Sequence, residues 1–225
     1  RGWIDSFFFS SPSRLGRLFL SMWRDGSLFL HVGITLTETL VSFALVVVIG
    51  LAVSLLLWLS DSVFQVLEPY LVILNSLPKS ALAPLLIVWL GANSRTIIVA
   101  GMSVAIFGTI LNLYTGFTET SREKIRLIYT LHGTKKDALT KVVLPSTVPM
   151  IISIMKVNIG LCLVGVVIGE FIGARNGLGY LIIYGSQVFQ LDLVILSILI
   201  LCLMAMLLYG GVTAAEKLYH RRQHA

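Results

Sequence analysis

Charge is scarce in this 225-residue chain: Asp, Glu, Lys and Arg together make up only 12% of it, against about 25% in a soluble globular domain. Hydrophobic residues make up 56%. Too little polar surface remains to coat a soluble body, so the sequence is that of an integral membrane protein. Its apolar runs are continuous, not alternating, which excludes the period-two pattern of a membrane β-barrel and leaves helices. Cysteine is nearly absent. Cys162 and Cys202 both fall inside apolar runs, where a thiol behaves as a small hydrophobe, and they have no metal-ligand spacing. The four histidines, His31, His132, His220 and His224, are scattered. No metal site, no nucleophile–base pair and no Walker motif can be assembled, so the chain carries no catalytic residue and no cofactor of its own. Arg175-Asn176-Gly177-Leu178-Gly179-Tyr180 is glycine-rich but lacks the strand and helix that make such a run a phosphate cradle. Internal repeats are missing too. That weighs against the alternative of an ion-gradient-driven secondary transporter, which usually has related halves. The net charge of +6 does not imply nucleic acid, because basic residues crowd the cytoplasmic loops of membrane proteins.

What is present is a series of apolar runs around one polar island. Residues 1–33 are mixed. Ser10-Ser11-Pro12-Ser13 marks a turn or helix start. Leu15, Leu18, Phe19, Met22 and Trp23 then fall at helical spacing, with Arg14, Arg17 and Arg24 elsewhere. The pattern predicts an amphipathic helix, lying at the interface or packed on its own protein. Five spans follow. The first is 34–59, long enough at 1.5 Å per residue to cross a core of about 30 Å. The second, 63–90, is broken by Pro69, Pro78 and Pro84 and reads as a kinked or two-piece span facing protein. The others are 97–114, 148–172 and 191–209, with a short interfacial helix at 181–190. The permease body is thus 34–211, followed by a basic tail over 212–225.

The island, 119–149, holds Arg122, Lys124, Arg126, Lys135, Lys136 and Lys141 against Glu119, Glu123 and Asp137. Thr120-Ser-Arg-Glu123 and Thr134-Lys-Lys-Asp137 both match a capping box, which predicts two short helices separated by His132-Gly133. Ile125, Ile128 and Leu131 give the first an apolar edge, and Ala138, Leu139 and Val142 give one to the second. Pro145 and Pro149 mark the start of the next span. Two spans separate the island from the tail, so both lie on one side, and their Lys and Arg put that side in the cytoplasm. Three spans then place 1–33 outside, where its arginines fit poorly.

Several stretches together resemble the membrane subunit of bacterial binding-protein-dependent ABC importers, most of all the nitrate, sulfonate and taurine permease group, which includes carriers of thiamine-pyrimidine precursors. They are Ser11-Pro12-Ser13, the proline-broken Ser76-Leu77-Pro78 to Pro84, Gly91, Val142-Val143-Leu144-Pro145, and Glu170 followed by Gly177-Leu178-Gly179-Tyr180. The resemblance covers nearly the whole chain. The family's cytoplasmic signature is E-A-A-x3-G-x9-I-x-L-P. Its second half is clear here. Its first reads Arg126-Leu127-Ile128, and Gly133 lies twelve residues before Pro145, with His132 in the slot thirteen before it.

The resemblance implies an all-α, type I importer (MetI-like) permease fold of about five transmembrane helices here, with a further span ahead of residue 1. It also implies a place in the bacterial plasma (inner) membrane. Two identical permease copies would line the path in contact with lipid. Two cytoplasmic ATPase subunits would bind ATP and magnesium, and an extracytoplasmic binding protein would deliver a small anionic or zwitterionic solute. The island, 119–145, would supply the coupling helix over 133–145. Gly133, Lys135, Lys136, Asp137, Ala138, Leu139, Lys141 and Pro145 would then meet the ATPase, with Ala138 and Leu139 as its apolar contacts.

Ionisable groups at membrane depth are costly and face protein or water. Lys79, beside the Pro78 break, and Lys156, two residues before Asn158, are deep enough to ease an anion's passage or to form an internal salt bridge, for instance with Glu68. Glu38 and Glu170 lie near the ends of spans, where snorkelling to the interface is the plain expectation, with Glu170, like Asn158, also a candidate for the solute path. Gly165, Gly169 and Gly173 recur every four residues and lay a smooth stripe on one helix face, for close helix packing or for lining the path.

Overall fold

The computed structural model describes residues 11–223, with side chains as far as residue 217. Expectations resting on Ser10, His220, Arg221, Arg222 and His224 lie outside that description. All regular structure among the described residues is helical: α1 Pro12–Arg24, α2 Ser27–Leu59, α3 Asp61–Ser76, α4 Lys79–Leu90 and α5 Ser94–Thr118. The island follows as α6 Arg122–Thr130, α7 Lys135–Ala138 and a π-helical turn Leu139–Val143, then α8 Leu144–Gly173, α9 Leu178–Gln187 and α10 Leu191–Gln223. Among the described residues four helical stretches are long and apolar enough to cross a membrane, and α3 with α4, bent by 96°, adds a fifth if the pair counts as one span.

The first span starts earlier than residue 34. Gly26 takes φ +78° and Asp25 accepts hydrogen bonds from the Ser27 backbone N–H at 2.9 Å and hydroxyl at 2.7 Å. That turn launches α2 at Ser27, so the last residues of the 1–33 segment belong to the span. The 212–225 tail does not begin as a separate segment either, because α10 runs through it to Gln223.

The spans pack through small and hydroxyl side chains. Helix α2 buries Thr35, Thr39, Ser42, Val46, Gly50 and Ser54 along one stripe, while Val48 and Leu56 on other faces stand open. Hydrophobic driving force between helices is absent in lipid, so close backbone approach takes its place. The buried hydroxyls turn back on their own helices: Ser42 to the Glu38 carbonyl, Ser54 to that of Gly50, Thr109 to that of Ala105. At the centre α5 crosses α8. A Cβ on Gly165 would lie 2.8 Å from the Gly101 Cα and 3.0 Å from the Ala100 carbonyl. A Cβ on Gly169 would meet Ile97 and Ala100 at 3.2–3.3 Å.

The break between α3 and α4 follows from Pro78. A residue before proline is pushed out of the helical region, and Leu77 sits at φ −63°, ψ 140°. Lys79 spans the break: its ammonium donates to the Leu74 carbonyl at 2.5 Å, one of those α3 leaves without a partner at its end, and stands 5.4 Å over the Phe107 ring. Two ends of the molecule emerge. Trp58, Asp61 and the C-terminal part of α10 gather at the island end. The starts of α2 and α10, the end of α8, and α1 and α9 gather at the other.

Candidate functional site

Helix α6 begins at Arg122 with Ser121 as N-cap and no side-chain cap. The first expected capping box therefore does not form: Glu123 falls one position short of N3, and the Thr120 hydroxyl is buried without a partner. The second does form. Thr134 accepts from the Asp137 N–H at 3.2 Å, and Asp137 accepts from the Thr134 N–H at 2.9 Å and hydroxyl at 2.6 Å. Lys141 closes on Asp137 at 2.9 Å. These contacts occupy the Asp137 carboxylate within the turn itself.

Between the helices the backbone makes a Schellman turn: the Gly133 N–H bonds the Ile128 carbonyl at 2.9 Å and the His132 N–H bonds that of Tyr129 at 3.0 Å. His132 carries the left-handed φ of +59°. The slot thirteen residues before Pro145 thus keeps the backbone shape that glycine favours, with histidine in it. Gly133 takes the next position, where a Cβ would press on the Ile128 side chain and carbonyl. Left-handed backbone costs a non-glycine residue about 1–2 kcal/mol. His132→Gly is expected to raise unfolding stability by about 1 kcal/mol, read as a higher melting temperature of the purified chain. An unchanged or lower value would show that the imidazole itself supports the turn.

Ala138 and Leu139 do not face outward. Ala138 is 0% and Leu139 7% exposed, packed with Trp58, Leu113, Phe117 and Val143. Their expected role as apolar contacts for a partner is corrected by that placement: the π-helical turn rotates this edge into the bundle. Lys135 also points home, 3.5 Å from Asp61 and 5.5 Å over the Trp58 ring. Lys136, Lys141 and Pro145 are exposed. The free apolar surface lies on α6, where Ile125 and Ile128 turn inward while Leu127 and Leu131 stand 59% and 70% exposed. Tyr129 is exposed too, two residues from each and so on another face of the helix. Residues i and i+4 share one helix face, so Leu127 and Leu131 form a ridge, flanked in sequence by Lys124 and Arg126. The sequence puts Leu131 on one apolar edge with Ile125 and Ile128. In the structure Ile125 and Ile128 pack inward, while Leu131, the C-cap residue whose N–H bonds the Leu127 carbonyl at 3.1 Å, stands exposed.

The residues singled out for a solute path are placed as follows. Lys156 pairs with Glu216 of α10, and Lys79 caps α3, so neither meets Glu68. Asn158 is buried and donates to the Thr109 hydroxyl at 2.8 Å. Gly165 and Gly169 lie in the α5–α8 contact. Glu170 does not snorkel: it is 0% exposed, accepting from the Thr35 hydroxyl and the Gly179 N–H, both at 2.6 Å. The Leu178 N–H bonds Thr35 at 2.8 Å and the Gly177 N–H bonds His31 Nδ1 at 3.0 Å. Gly177, at φ +113°, and Gly179 leave no room for a Cβ beside the Glu170 carboxyl. The amides of the glycine-rich turn are thus spent on the protein's own side chains. Thr35 and His31 carried no signal in sequence, being 143 and 146 residues from their partners.

Comparison with known proteins gives one direction. The profile of the binding-protein-dependent transport system inner membrane component matches residues 46–223. A probable ABC transporter permease protein of Haemophilus influenzae is 32% identical over 191 residues, 85% of this chain and 77% of that protein. The formylaminopyrimidine transport permease ThiX of Halalkalibacterium halodurans is 29% identical, over 84% of this chain and 76% of its own. The taurine transport permease TauC of Escherichia coli is 25% identical, over 86% and 70%. In fold, a chain of the MetNI methionine ABC transporter in an inward-facing conformation superposes with a TM-score of 0.70 at 20% identity, over 82% of this chain and 92% of that one. The chain therefore belongs to the family of binding-protein-dependent transport system inner membrane components, as a permease subunit of an ABC importer for small solutes within the nitrate, sulfonate and taurine group.

Proposed function

We propose that this permease docks a cytoplasmic ATPase through the outer face of α6, with Leu127 and Leu131 as apolar contacts and Lys136 and Lys141 as polar ones. The observation that carries the reading is the Leu127–Leu131 ridge. An exposed apolar patch rimmed by basic residues marks a protein-binding surface. The ridge sits on a short helix that leads through α7 and the π-helical turn into α8 without an irregular joint after Thr134. Motion imposed on the island therefore enters a transmembrane helix directly. ATP and its magnesium are bound by the partner, and closure of two such partners beneath two permease copies moves the spans between inward-open and outward-open states.

Helix α3 supports the paired arrangement: it buries no residue within the chain, and a second copy would cover it. The solute is a small anion or zwitterion of the nitrate, sulfonate or taurine kind, or a thiamine-pyrimidine precursor as the name of ThiX suggests, delivered from outside by a binding protein. Relatives named for taurine, aliphatic sulfonates and nitrate support that class. The family match removes the support for a gradient-driven carrier. The orientation that fits has the island and the end of α10 in the cytoplasm of the plasma membrane, with α1 outside.

The test is a pull-down of the chain with its ATPase and binding protein. Leu131→Asp and Leu127→Asp are expected to abolish co-purification of the ATPase and solute uptake. Both sites are exposed, so the melting temperature of the permease should change by no more than about 0.5 kcal/mol would cause. Full ATPase retention with normal uptake would overturn the docking assignment.

A further inference from the structure

Helix α1 carries positive charge that the fold leaves unused. Leu15, Leu18 and Phe19 pack with Met22 on a cluster from α9 and α10, so one face of α1 is spent within the chain. Arg17, Ser21 and Arg24 are all exposed and fall at i, i+4 and i+7, which puts them together on the other face. The two arginines start two turns, about 10 Å, apart, with Ser21 between them. An open groove of about 490 Å³ lies there, lined by Arg17, Leu20, Ser21, Arg24 and Asp25.

Neither arginine has a carboxylate partner among the described residues. Arg17 donates from Nε to the Ser13 carbonyl at 3.4 Å, which leaves the two terminal nitrogens of its fork to be used. Asp25 holds the Ser27 N–H and hydroxyl on one oxygen, so its carboxylate secures the turn into α2. Two guanidinium groups and one carboxylate give the groove one net positive charge. Arg14 stands apart, lining another cavity with Gln190 and Asp192 at the start of α10.

The apolar flank of the groove fixes its level in the membrane. Leu20 and Trp23 stand open beside the arginines, and Phe29 and Leu30 continue the open surface onto the first turn of α2. The Trp23 and Phe29 rings meet edge-on, 4.6 Å between centroids, where α2 enters its span at Ser27. Exposed aromatic rings at the mouth of a span sit at the membrane–water boundary. An amphipathic helix with basic and apolar flanks lies in that boundary. The basic flank then meets the phosphate layer, and the Leu20–Trp23 flank meets acyl chains. A soluble anion would use only the first. These arginines also stand at the end opposite the island, away from the side where basic residues of a membrane protein collect.

We propose that Arg17 and Arg24, with the Ser21 hydroxyl, bind the phosphodiester of an anionic phospholipid whose acyl chains lie along Leu20, Trp23 and Phe29. The lipid's single negative charge matches the groove's net charge, and the guanidinium fork suits phosphate oxygens.

Native mass spectrometry tests this on the purified chain in neutral detergent, titrated separately with phosphatidylglycerol, phosphatidylcholine and inorganic phosphate. The unaltered chain should retain phosphatidylglycerol over phosphatidylcholine by about thirtyfold, at about fivefold per arginine. Arg17→Gln and Arg24→Gln should each lower that preference about fivefold and together abolish it. Both sites are exposed, so the melting temperature should stay in place. Arg175→Gln removes an exposed charge at the same end of the molecule and should keep the preference. An equal loss in Arg175→Gln would overturn the proposal in favour of a diffuse surface charge. Displacement of the lipid by inorganic phosphate would overturn it in favour of a soluble-anion site. A double variant with its lipid preference intact would overturn it as well, and loss of solute-binding-protein docking in that variant would assign the face to that protein.

Discussion

An Ala138→Asp permease is expected to lose its folded island, with a stability loss of about 3–5 kcal/mol, the cost of an uncompensated buried charge. Ala138 is completely enclosed, against Trp58, Phe117 and Val143. The cluster's members are apolar side chains, and the nearest cation, Lys135 over the Trp58 ring, is already paired with Asp61. The added group would have to leave the cluster, taking α7 and the π-helical turn with it, or stay and be neutralised. Thermal unfolding in detergent reads the loss directly, as a fall in melting temperature and early aggregation. Leu131→Asp is the matched contrast: the same charge, added a few residues away on an exposed face, should leave the melting temperature in place. A chain that tolerates Ala138→Asp with an unchanged melting curve would show that the second island helix faces outward after all.

Gly165→Val is expected to cost at least about 3 kcal/mol, the upper range for overpacking a closed contact. A Cβ at Gly165 meets backbone on the facing helix, Gly101 Cα at 2.8 Å and the Ala100 carbonyl at 3.0 Å. Side chains can rotate away from a clash, but these atoms cannot move without displacing α5 as a whole. Helix α5 also carries the α2 contact, through Gly50 against Thr109 and Ser42 against the Ile98 carbonyl, so the strain is passed on to a third helix. Gly160→Ala, on the same helix with no atom within 4 Å of its added Cβ, is the control. It should be neutral or stabilising by up to about 1 kcal/mol. Comparable melting temperatures for the two variants would show that the glycine stripe is not a packing surface.

The spans were legible in sequence because their signal is local: length and hydropathy need no knowledge of neighbours. The Thr134–Asp137 cap was legible for the same reason, since a capping box closes within four residues. What sequence could not show was direction. Ala138 and Leu139 have the spacing of an apolar edge, and which way it turns depends on the helix type that follows. A π-helical turn has no periodicity to read in five residues. Pro145 supplies its physical cause: it lacks an N–H and crowds the Lys141 carbonyl four residues back, so the Leu144 N–H reaches Leu139, five residues away. The ionisable groups failed for another reason. Glu170 looked shallow by counting from the end of its span, and its partners Thr35 and Gly179 lie on α2 and beyond the turn. Lys156 answers to Glu216, 60 residues on. No local pattern encodes such pairs. Depth in the bilayer and burial in the protein are different quantities, and only the first is written along the chain.

The π-helical turn Leu139–Val143 holds one residue beyond the α-helical count. At 3.6 residues and 1.5 Å per residue, that residue is a screw step of about 100° between the island and the axis of α8. A one-residue deletion there is therefore no gap in the chain. It closes the turn into continuous α-helix and keeps the island's bearing, because the i→i+5 turn holds its extra residue within about one turn. Closing the turn with every residue kept would instead wind the island about 100° around the span and move it by about 1.5 Å. In this joint the reach of one hydrogen bond, Leu144 to Leu139, sets the compass bearing of the Leu127–Leu131 ridge.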